Sequence, residues 1–412
     1  MALGDVTDWL NEFSGPQYAW LVKRLAANDT LATKAHQAGP YIPKEFAFEL
    51  FPKINTRTDK NPRQKLQAYV DSHPAVQEIS VIYYNTRFYE NRTDGRNEVR
   101  LTGWGGMKSA VLDPASTGAI AVFAFTLNAS GLAVDCHVWI CDHETEEDLV
   151  EDRVGPVEPG QCAIWAPSRS TLLPPVEPRA SCWLDPHEIP ASWLSRFPSG
   201  EDIVRKAVDL RSDAALPPDK RLIRRRNCEF EIFRSVEEAL ELPVIKSGFS
   251  TLDDFIARAQ TILQRRKARS GRSLELHARE IFIEERLREG VDFAHGPESD
   301  PGKKPDFLFP NQAAYQNPAF PSSGLRMLAV KTTCRDRWRQ VLNEADRIGT
   351  KHLLTLQEGV SEGQFREMTG AKVQLVVPKS LQEKYPKSVR PHLQTLESFI
   401  ADIRLIALAA RS

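Results

Sequence analysis

The pattern of short apolar stretches between about residues 75 and 168 predicts a β-rich region. Its apolar stretches are rich in β-branched and aromatic residues and are separated by Gly, Asn and Asp, which favour turns. The predicted strands are 79–84, 98–102, 119–127 and 133–140. The N-terminal part of the chain is therefore predicted to be a β-rich domain with a few helices.

The pattern changes to helical spacing after about residue 200. Apolar residues three and four positions apart predict helices over 203–210, 222–244, 255–263 and 274–287. Strands and helices then alternate, with predicted strands at 306–309, 326–331, 352–356 and 373–377 and predicted helices at 337–348, 363–368 and 393–409. Such alternation is typical of an α/β layered domain.

A proline-rich stretch separates the two patterns. Residues 171–179 contain three prolines, which disfavour both helix and sheet interior and favour a stiff, extended connector. We therefore expect an N-terminal domain over 1–178 and a C-terminal domain over 181–412, joined by a linker at about 171–180. The predicted fold class is a two-domain α+β or α/β protein.

Composition excludes several classes of protein. A length of 412 residues is typical of two or three globular domains. The chain contains 54 Lys and Arg against 55 Asp and Glu. The longest apolar stretches are too short for a membrane span, and we expect no membrane partner. The first residues lack the pattern of an export signal, and the six cysteines lack the spacing of a disulfide framework. A cytoplasmic location is expected.

A net charge of −1 does not exclude a nucleic-acid partner, because charges act locally in physiological salt. Basic residues cluster at 220–226 and at 265–272. Each cluster is either a solvated helix face or a nucleic-acid contact, and the sequence leaves both interpretations open.

Two neighbouring predicted strands carry candidate catalytic chemistry. Asp306 begins one strand, in the sequence Lys-Pro-Asp-Phe-Leu-Phe, and Lys331 ends the next. An acid and a lysine so placed form the core of the PD…(D/E)xK nuclease arrangement. A carboxylate is a suitable ligand for Mg²⁺, and a lysine can help to activate water and to stabilise the charge of a phosphodiester transition state.

The second acid of that arrangement is displaced in this chain. The position two residues before Lys331 is Ala329, which cannot bind a metal. Glu344, in the predicted helix 337–348, is a candidate replacement, and Glu275, in the helix before Asp306, is another. The alternative interpretation of Glu344 is a solvent-facing acid paired with an arginine.

The chain resembles the EcoRII family of type II restriction endonucleases along essentially its whole length. The most specific likeness lies in residues 328–346. Further matching segments are 303–310, 272–277, 354–361, 376–378, 24–30, 83–85, 96–98 and 197–200.

The resemblance implies a homodimeric, Mg²⁺-dependent enzyme that cleaves both strands of duplex DNA at CCWGG, where W is A or T. It implies a C-terminal PD-(D/E)XK domain, in which dimerisation also takes place, and an N-terminal pseudobarrel that binds a second copy of the site and covers the catalytic cleft. A displaced glutamate is the rule in this family, so that Ala329 with Glu344 agrees with it.

By position, the resemblance assigns metal binding to Asp306 and Glu344, catalysis to Lys331 and a supporting role to Glu275. Tyr315 lies at a position linked with cleavage, although a packing tyrosine is an equal alternative. The residues assigned to DNA binding are Arg335, Asp336 and Arg337 after the catalytic lysine, and His36, Tyr41, Arg96, Glu98 and Arg100 in the N-terminal domain.

The hydrogen-bonding groups of these side chains suit contacts to DNA. A guanidinium can bind guanine O6 and N7 together, and a carboxylate can accept from cytosine N4. Because side chains alternate along a strand, residues 96, 98 and 100 are expected on one face.

The main alternative function is that of a non-catalytic DNA-binding regulator with a decayed nuclease fold. An RNA nuclease or a junction resolvase is a weaker alternative.

Overall fold

The computed structural model describes residues 3–33, 39–165 and 182–409. The chain forms two compact units. The first contains residues 1–174 with the segments 357–366 and 383–391, and the second contains 175–356, 367–382 and 392–412. The proline-rich linker lies outside the described residues, so the predicted domain boundaries stay a prediction.

The first unit is built on an eight-stranded sheet in the order β2-β5-β4-β3-β7-β6-β1-β8. All neighbouring strands are antiparallel except β3 and β7. Its strands are β1 (Tyr18–Arg24), β2 (Tyr41–Ile42), β3 (Arg63–Val70), β4 (Ala75–Tyr84), β5 (Glu98–Thr102), β6 (Ile120–Leu127), β7 (Ala133–Ile140) and β8 (Cys162–Trp165). The helices described in this unit include α1 (Leu3–Glu12), α2 (Lys44–Leu50), α3 (Thr86–Tyr89) and α4 (Glu144–Val154).

Strand β6 is buried on both faces, which explains its uninterrupted apolar sequence. Phe123 and Phe125 point into the core that also contains α2, whereas Val122 and Ala124 point into a second core. The second core also contains buried residues of α1 and α4. The curled sheet therefore has one hydrophobic core on each side.

The second unit is built on a mixed five-stranded sheet in the order β13-β12-β11-β10-β9. Strands β11, β12 and β13 are parallel, and β10 is antiparallel to both of its neighbours. The strands are β9 (Ala294–His295), β10 (Phe307–Phe309), β11 (Arg326–Val330), β12 (Lys351–Leu354) and β13 (Val373–Val376). The remaining helices are α5 (Ala191–Ser195), α6 (Gly200–Leu210), α7 (Pro218–Ser247), α8 (Leu252–Glu284), α9 (Gln312–Gln316), α10 (Trp338–Val341), α11 (Glu362–Gly370), α12 (Lys379–Gln382) and α13 (Leu396–Ala409).

Aromatic packing joins this sheet to its helices. Phe282 of α8 contacts the rings of Phe307 and Phe309 edge-on, with centroids 5.1 and 5.5 Å apart, and Phe399 of α13 contacts Phe309. These side chains belong to one core that also includes buried residues of β11, β12 and β13. The core holds the first residues of β10 rigidly in place.

Two details of the sequence-based prediction are wrong. The two helices predicted over 255–263 and 274–287 are one continuous helix, α8. The helix predicted over 337–348 is confined to α10, and the chain from 342 to 350 forms turns and bends. In addition, Cys182 and Cys228 form a disulfide bond, which cysteine spacing did not predict.

The basic clusters at 220–226 and 265–272 take part in ion pairs between α7 and α8. Arg269 donates two hydrogen bonds of 3.0 Å to Glu229, and Arg266 binds Glu237 at 2.7 Å. Arg225 makes two hydrogen bonds of 2.8 Å to Glu284. These three guanidinium groups bind buried or half-buried carboxylates and so join the two helices.

Candidate active site

Asp306 and Lys331 meet at one end of the second unit's sheet. Asp306 directly precedes β10 and Lys331 directly follows β11, and the two strands run antiparallel, so that the start of one lies beside the end of the other. Nζ of Lys331 lies 3.5 Å from Oδ2 of Asp306. The same oxygen accepts a hydrogen bond of 2.6 Å from the main-chain N–H of Val330. The predicted pair is therefore formed.

Burial raises the pKa of Asp306 above its ordinary value, although the Lys331 cation and the Val330 N–H oppose the shift. The negative charge of Glu275 adds to the increase. Because burial disfavours the ionised form of Asp306, a further cation near its carboxylate would stabilise that form.

Glu344 approaches the same site from the turn after α10. The residue is partly buried, and its Oε2 atom is buried with no hydrogen-bond partner in the described part of the chain. Burial, with a further contribution from the Asp306 charge, raises the pKa of Glu344 to about 7. A solvent-facing acid paired with an arginine would show neither feature, so the geometry favours the interpretation of Glu344 as a site residue.

Glu275 reaches the site through a residue that the sequence did not single out. Its Oε1 lies 2.5 Å from Nε2 of His295, at the end of β9. The His295 ring stacks on Phe307 with centroids 5.1 Å apart, and the next residue, Gly296, donates a 2.8 Å hydrogen bond to the Asp306 carbonyl. No local motif marks His295, because its partner lies on a distant helix.

Tyr315 is buried, and its hydroxyl lies in a network beside the Glu344 turn. The hydroxyl donates a hydrogen bond of 2.7 Å to Asp300 and accepts one of 3.2 Å from the main-chain N–H of Arg347. Burial raises the pKa of Tyr315 to about 12, so the hydroxyl stays protonated. These contacts fit a supporting role, and the predicted link with cleavage stays a prediction.

The residues present fit a divalent cation. The Asp306 charge raises the pKa of Glu344, and the Glu344 Oε2 has no hydrogen-bond partner among the described residues. A divalent cation held by Asp306 and Glu344 would offset the repulsion between their carboxylates. Among the described residues there is no cluster of three or more His, Cys, Asp or Glu side chains suited to metal binding, so water or substrate oxygens would complete the coordination.

The three residues predicted to contact DNA bases lie in the turn between Lys331 and α10, not in a helix. Arg335, Asp336 and Arg337 are all partly exposed. Asp336 lies 3.5 Å from Arg339 of α10, which is itself 2.9 Å from Glu367. The three residues predicted to read bases therefore follow Lys331 closely in sequence and lie on a partly exposed turn.

In the first unit, Arg96, Glu98 and Arg100 line one cavity of about 690 Å³, as their alternation predicts. Arg100 donates hydrogen bonds to both carboxylate oxygens of Glu98, at 3.1 and 3.3 Å, while Arg96 lies over the Tyr84 ring at 5.0 Å. Tyr41 is 38 % exposed on β2, opposite Arg100. His36 lies outside the described residues.

A mixed sheet with an acid and a lysine at one end, and further carboxylates brought in from a turn and a helix, defines a nuclease of the restriction-endonuclease-like fold. The chain matches the family models "EcoRII C terminal" over residues 233–400 and "Restriction endonuclease EcoRII, N-terminal" over residues 14–169. It is 44% identical over 401 residues to the "Type II restriction enzyme EcoRII" of Escherichia coli, covering 96% of each chain. The chain belongs to the EcoRII family of type II restriction endonucleases, which confirms the predicted enzyme class, a site-specific deoxyribonuclease.

Two solved structures are also similar. Metal-depleted Ecl18kI in complex with uncleaved, modified DNA shares 18% identity, with a TM-score of 0.44 over 56% of this chain and 87% of that one. The B3 domain of the UbaLAI restriction endonuclease with cognate DNA shares 18% identity, with a TM-score of 0.27 over 39% of this chain and 97% of that one. No described helix is both long and apolar enough to cross a membrane.

Proposed function

We propose that this restriction endonuclease hydrolyses both strands of duplex DNA at CCWGG in a Mg²⁺-dependent reaction. The observation that carries the proposal is that Asp306 and Lys331 pair at one end of the sheet and that Glu344, whose Oε2 has no partner among the described residues, is close enough to interact with their charges. The CCWGG sequence follows from family membership and from the suitability of residues 335–337 for reading C:G pairs. A cytoplasmic location accords with a DNA substrate.

Asp306 and Glu344 are the residues that would hold the metal ion. A bound Mg²⁺ supplies positive charge to the phosphate and lowers the pKa of a bound water. Lys331 places its ammonium beside Asp306, where a fixed cation stabilises the negative charge that develops on a phosphate in the transition state. Its position on a rigid strand end means that this cation needs no reorganisation during the reaction.

Sequence selection is proposed for Arg335, Asp336 and Arg337. Two guanidinium groups can contact guanines, and the carboxylate between them can accept from a cytosine amino group. The short turn from Lys331 to these residues supports coupling between base recognition and the scissile phosphate.

We further propose that the chain acts as a homodimer, with dimerisation through the C-terminal domain. One set of Asp306, Lys331 and Glu344 is present in each chain, whereas both DNA strands of a nearly symmetric site must be cut. Two copies related by a two-fold axis meet that requirement.

The cavity of the first unit is proposed to bind a second copy of the site and to regulate cleavage. Its lining combines Arg92, Arg96 and Arg100 with acids, as expected for contacts to phosphates and bases. Within the first unit, the Ala27 N–H donates a 2.9 Å hydrogen bond to the Glu358 carbonyl, and a Cβ on Gly359 would lie 2.3 Å from that of Ala27. Residues 357–366 lie within the match to the C-terminal family model, so this packing supports autoinhibition.

The central test is incubation of a plasmid carrying CCWGG sites with the protein and Mg²⁺. Lys331→Ala and Asp306→Asn should abolish cleavage and retain duplex binding, whereas the exposed control Lys246→Ala should cut normally. A wild-type protein that leaves the plasmid whole would favour the non-catalytic regulator. Normal cutting by Lys331→Ala would refute the site assignment.

Autoinhibition is tested by Ala27→Leu, which overfills the contact with Gly359. If the contact restrains the enzyme, the variant should cut single-site DNA faster than wild type. Slower or unchanged cleavage by a folded variant would argue against restraint.

A further inference from the structure

The turn that carries Glu344 has no regular secondary structure to fix it. Helix α10 ends at Val341 and β12 begins at Lys351, and Ala345 adopts the left-handed conformation with φ of 49°. In the more usual arrangement the second acid would stand at position 329, on the rigid strand β11. An acid on a turn needs other contacts to hold its backbone, because an unrestrained turn samples many conformations.

Lys351 supplies such contacts from the adjacent strand. Its Nζ donates hydrogen bonds to the main-chain carbonyls of Glu344, at 2.5 Å, and of Ala345, at 2.6 Å. Lys351 is the first residue of β12, pairs with β13 and is only 6 % exposed. The ammonium is therefore fixed by the same sheet that holds Lys331.

A buried ammonium is costly unless it is well hydrogen-bonded. The side chain of Lys351 is long enough to reach solvent on many protein surfaces, yet here it points inward to the carbonyls of Glu344 and Ala345. The Ala345 carbonyl also accepts a 2.9 Å hydrogen bond from the main-chain N–H of Ile348. Asp300 and Tyr315 bind the next part of the turn through the main-chain N–H groups of Asp346 and Arg347. The turn is thus held on both sides of Ala345.

We propose that Lys351 is a positioning residue that fixes the Glu344 carboxylate opposite Asp306 for metal binding. The inference rests on the proposed metal-dependent function and deepens it. Lys351 acts on the main chain of Glu344 and does not touch DNA or metal. It replaces, through two hydrogen bonds, the rigidity that the strand would give to an acid at position 329.

Calorimetric titration of Ca²⁺ into the protein bound to cognate duplex measures this role without requiring cleavage. Lys351→Met removes both hydrogen bonds at similar volume and should weaken Ca²⁺ binding at least tenfold, as is usual when a group that orients a metal ligand is lost. Lys372→Met, a change at an exposed lysine one strand away, should leave Ca²⁺ binding unchanged. Unchanged binding in Lys351→Met would overturn the inference.

A double variant separates positioning from a merely structural role. In a Glu344→Gln background, Lys351→Met should weaken Ca²⁺ binding by less than twofold further, because the side chain that it positions is already lost. An equal loss in both backgrounds would show that Lys351 acts on the fold in general and would overturn the inference.

Lys351→Arg keeps the charge and decides the question if the Met variant does not fold. Arg cannot place one compact ammonium between two carbonyls, so Ca²⁺ binding should weaken at least threefold, and wild-type affinity would overturn the inference. The wild-type chain is the reference for the proposed function. If wild type neither binds Ca²⁺ nor cuts DNA with Mg²⁺, the proposed function fails; if it does both and the variants match it, only this inference fails.

Discussion

Replacing Glu344 with Gln should stabilise the metal-free protein while abolishing cleavage. Burial raises the pKa of Glu344 from 4.5 to about 7. Since one pKa unit corresponds to about 1.4 kcal/mol, the ionised carboxylate lowers the free energy of unfolding by about 3 kcal/mol well above pH 7. Gln is nearly isosteric and does not ionise, so the variant avoids this cost.

The sign of the effect depends on pH. Below about pH 4.5 the Glu344 carboxyl is protonated in both the folded and the unfolded chain, and its raised pKa costs nothing. Between about 4.5 and 7 the unfolded chain releases the proton and the folded chain retains it, so the free energy of unfolding falls as the pH rises. The stability gained in Glu344→Gln should therefore be under about 1 kcal/mol at pH 5 and about 3 kcal/mol at pH 8.5.

Urea unfolding in the presence of a chelator at pH 5 and pH 8.5 measures this difference. Glu238→Gln, a change at an exposed glutamate of α7, serves as the matched control and should show no pH-dependent gain. Added Mg²⁺ should stabilise wild type more than Glu344→Gln, because the ion binds the carboxylate. A stability difference that is equal at both pH values, or a less stable variant at pH 8.5, would refute the reasoning.

Three further predictions concern the candidate active site and the cavity of the first unit. His295→Asn should slow single-turnover cleavage at least tenfold without weakening DNA binding, and adding Glu275→Gln should reduce the cleavage rate little further. Additive losses of rate would show that the two residues do not act as a unit. Asp336→Ala should reduce discrimination between CCWGG and a site with one altered C:G pair by about 1 to 3 kcal/mol, and unchanged cleavage ratios would contradict base readout. Arg100→Ala should weaken binding of a second duplex and its effect on cleavage rate, with unchanged stimulation by added CCWGG duplex as the contrary result.

The sequence pattern located four of the eight strands of the first unit, β4 to β7, and missed β1, β2, β3 and β8. Strands β5 and β7 have the predicted bounds, 98–102 and 133–140. The pattern succeeded because each strand presents one face to a core and another to a second core or solvent, so local residue choice records the burial. The continuous apolar run at β6 likewise reflects burial on both faces.

Predictions from periodicity were wrong where contacts between residues distant in sequence determine the local structure. The helix predicted over 337–348 ends at Val341, because Lys351, Asp300 and Tyr315 hold the following residues in a turn. The basic cluster at 265–272 left two interpretations open, and only the tertiary structure shows that Arg265, Arg266 and Arg269 pair with glutamates of α7.

The sequence by itself determined the family, the placement of Asp306 and Lys331 at adjacent strand ends, and the absence of an acid at position 329. Those features are local, because residue types and the pattern of a strand can be recognised from a few neighbouring positions. Only the tertiary structure decided that Glu344 lies near enough to Asp306 to interact with its charge and that Glu275 is paired with His295. These contacts join residues on separate elements. They form only when the sheet and its helices pack and bring distant backbone segments together.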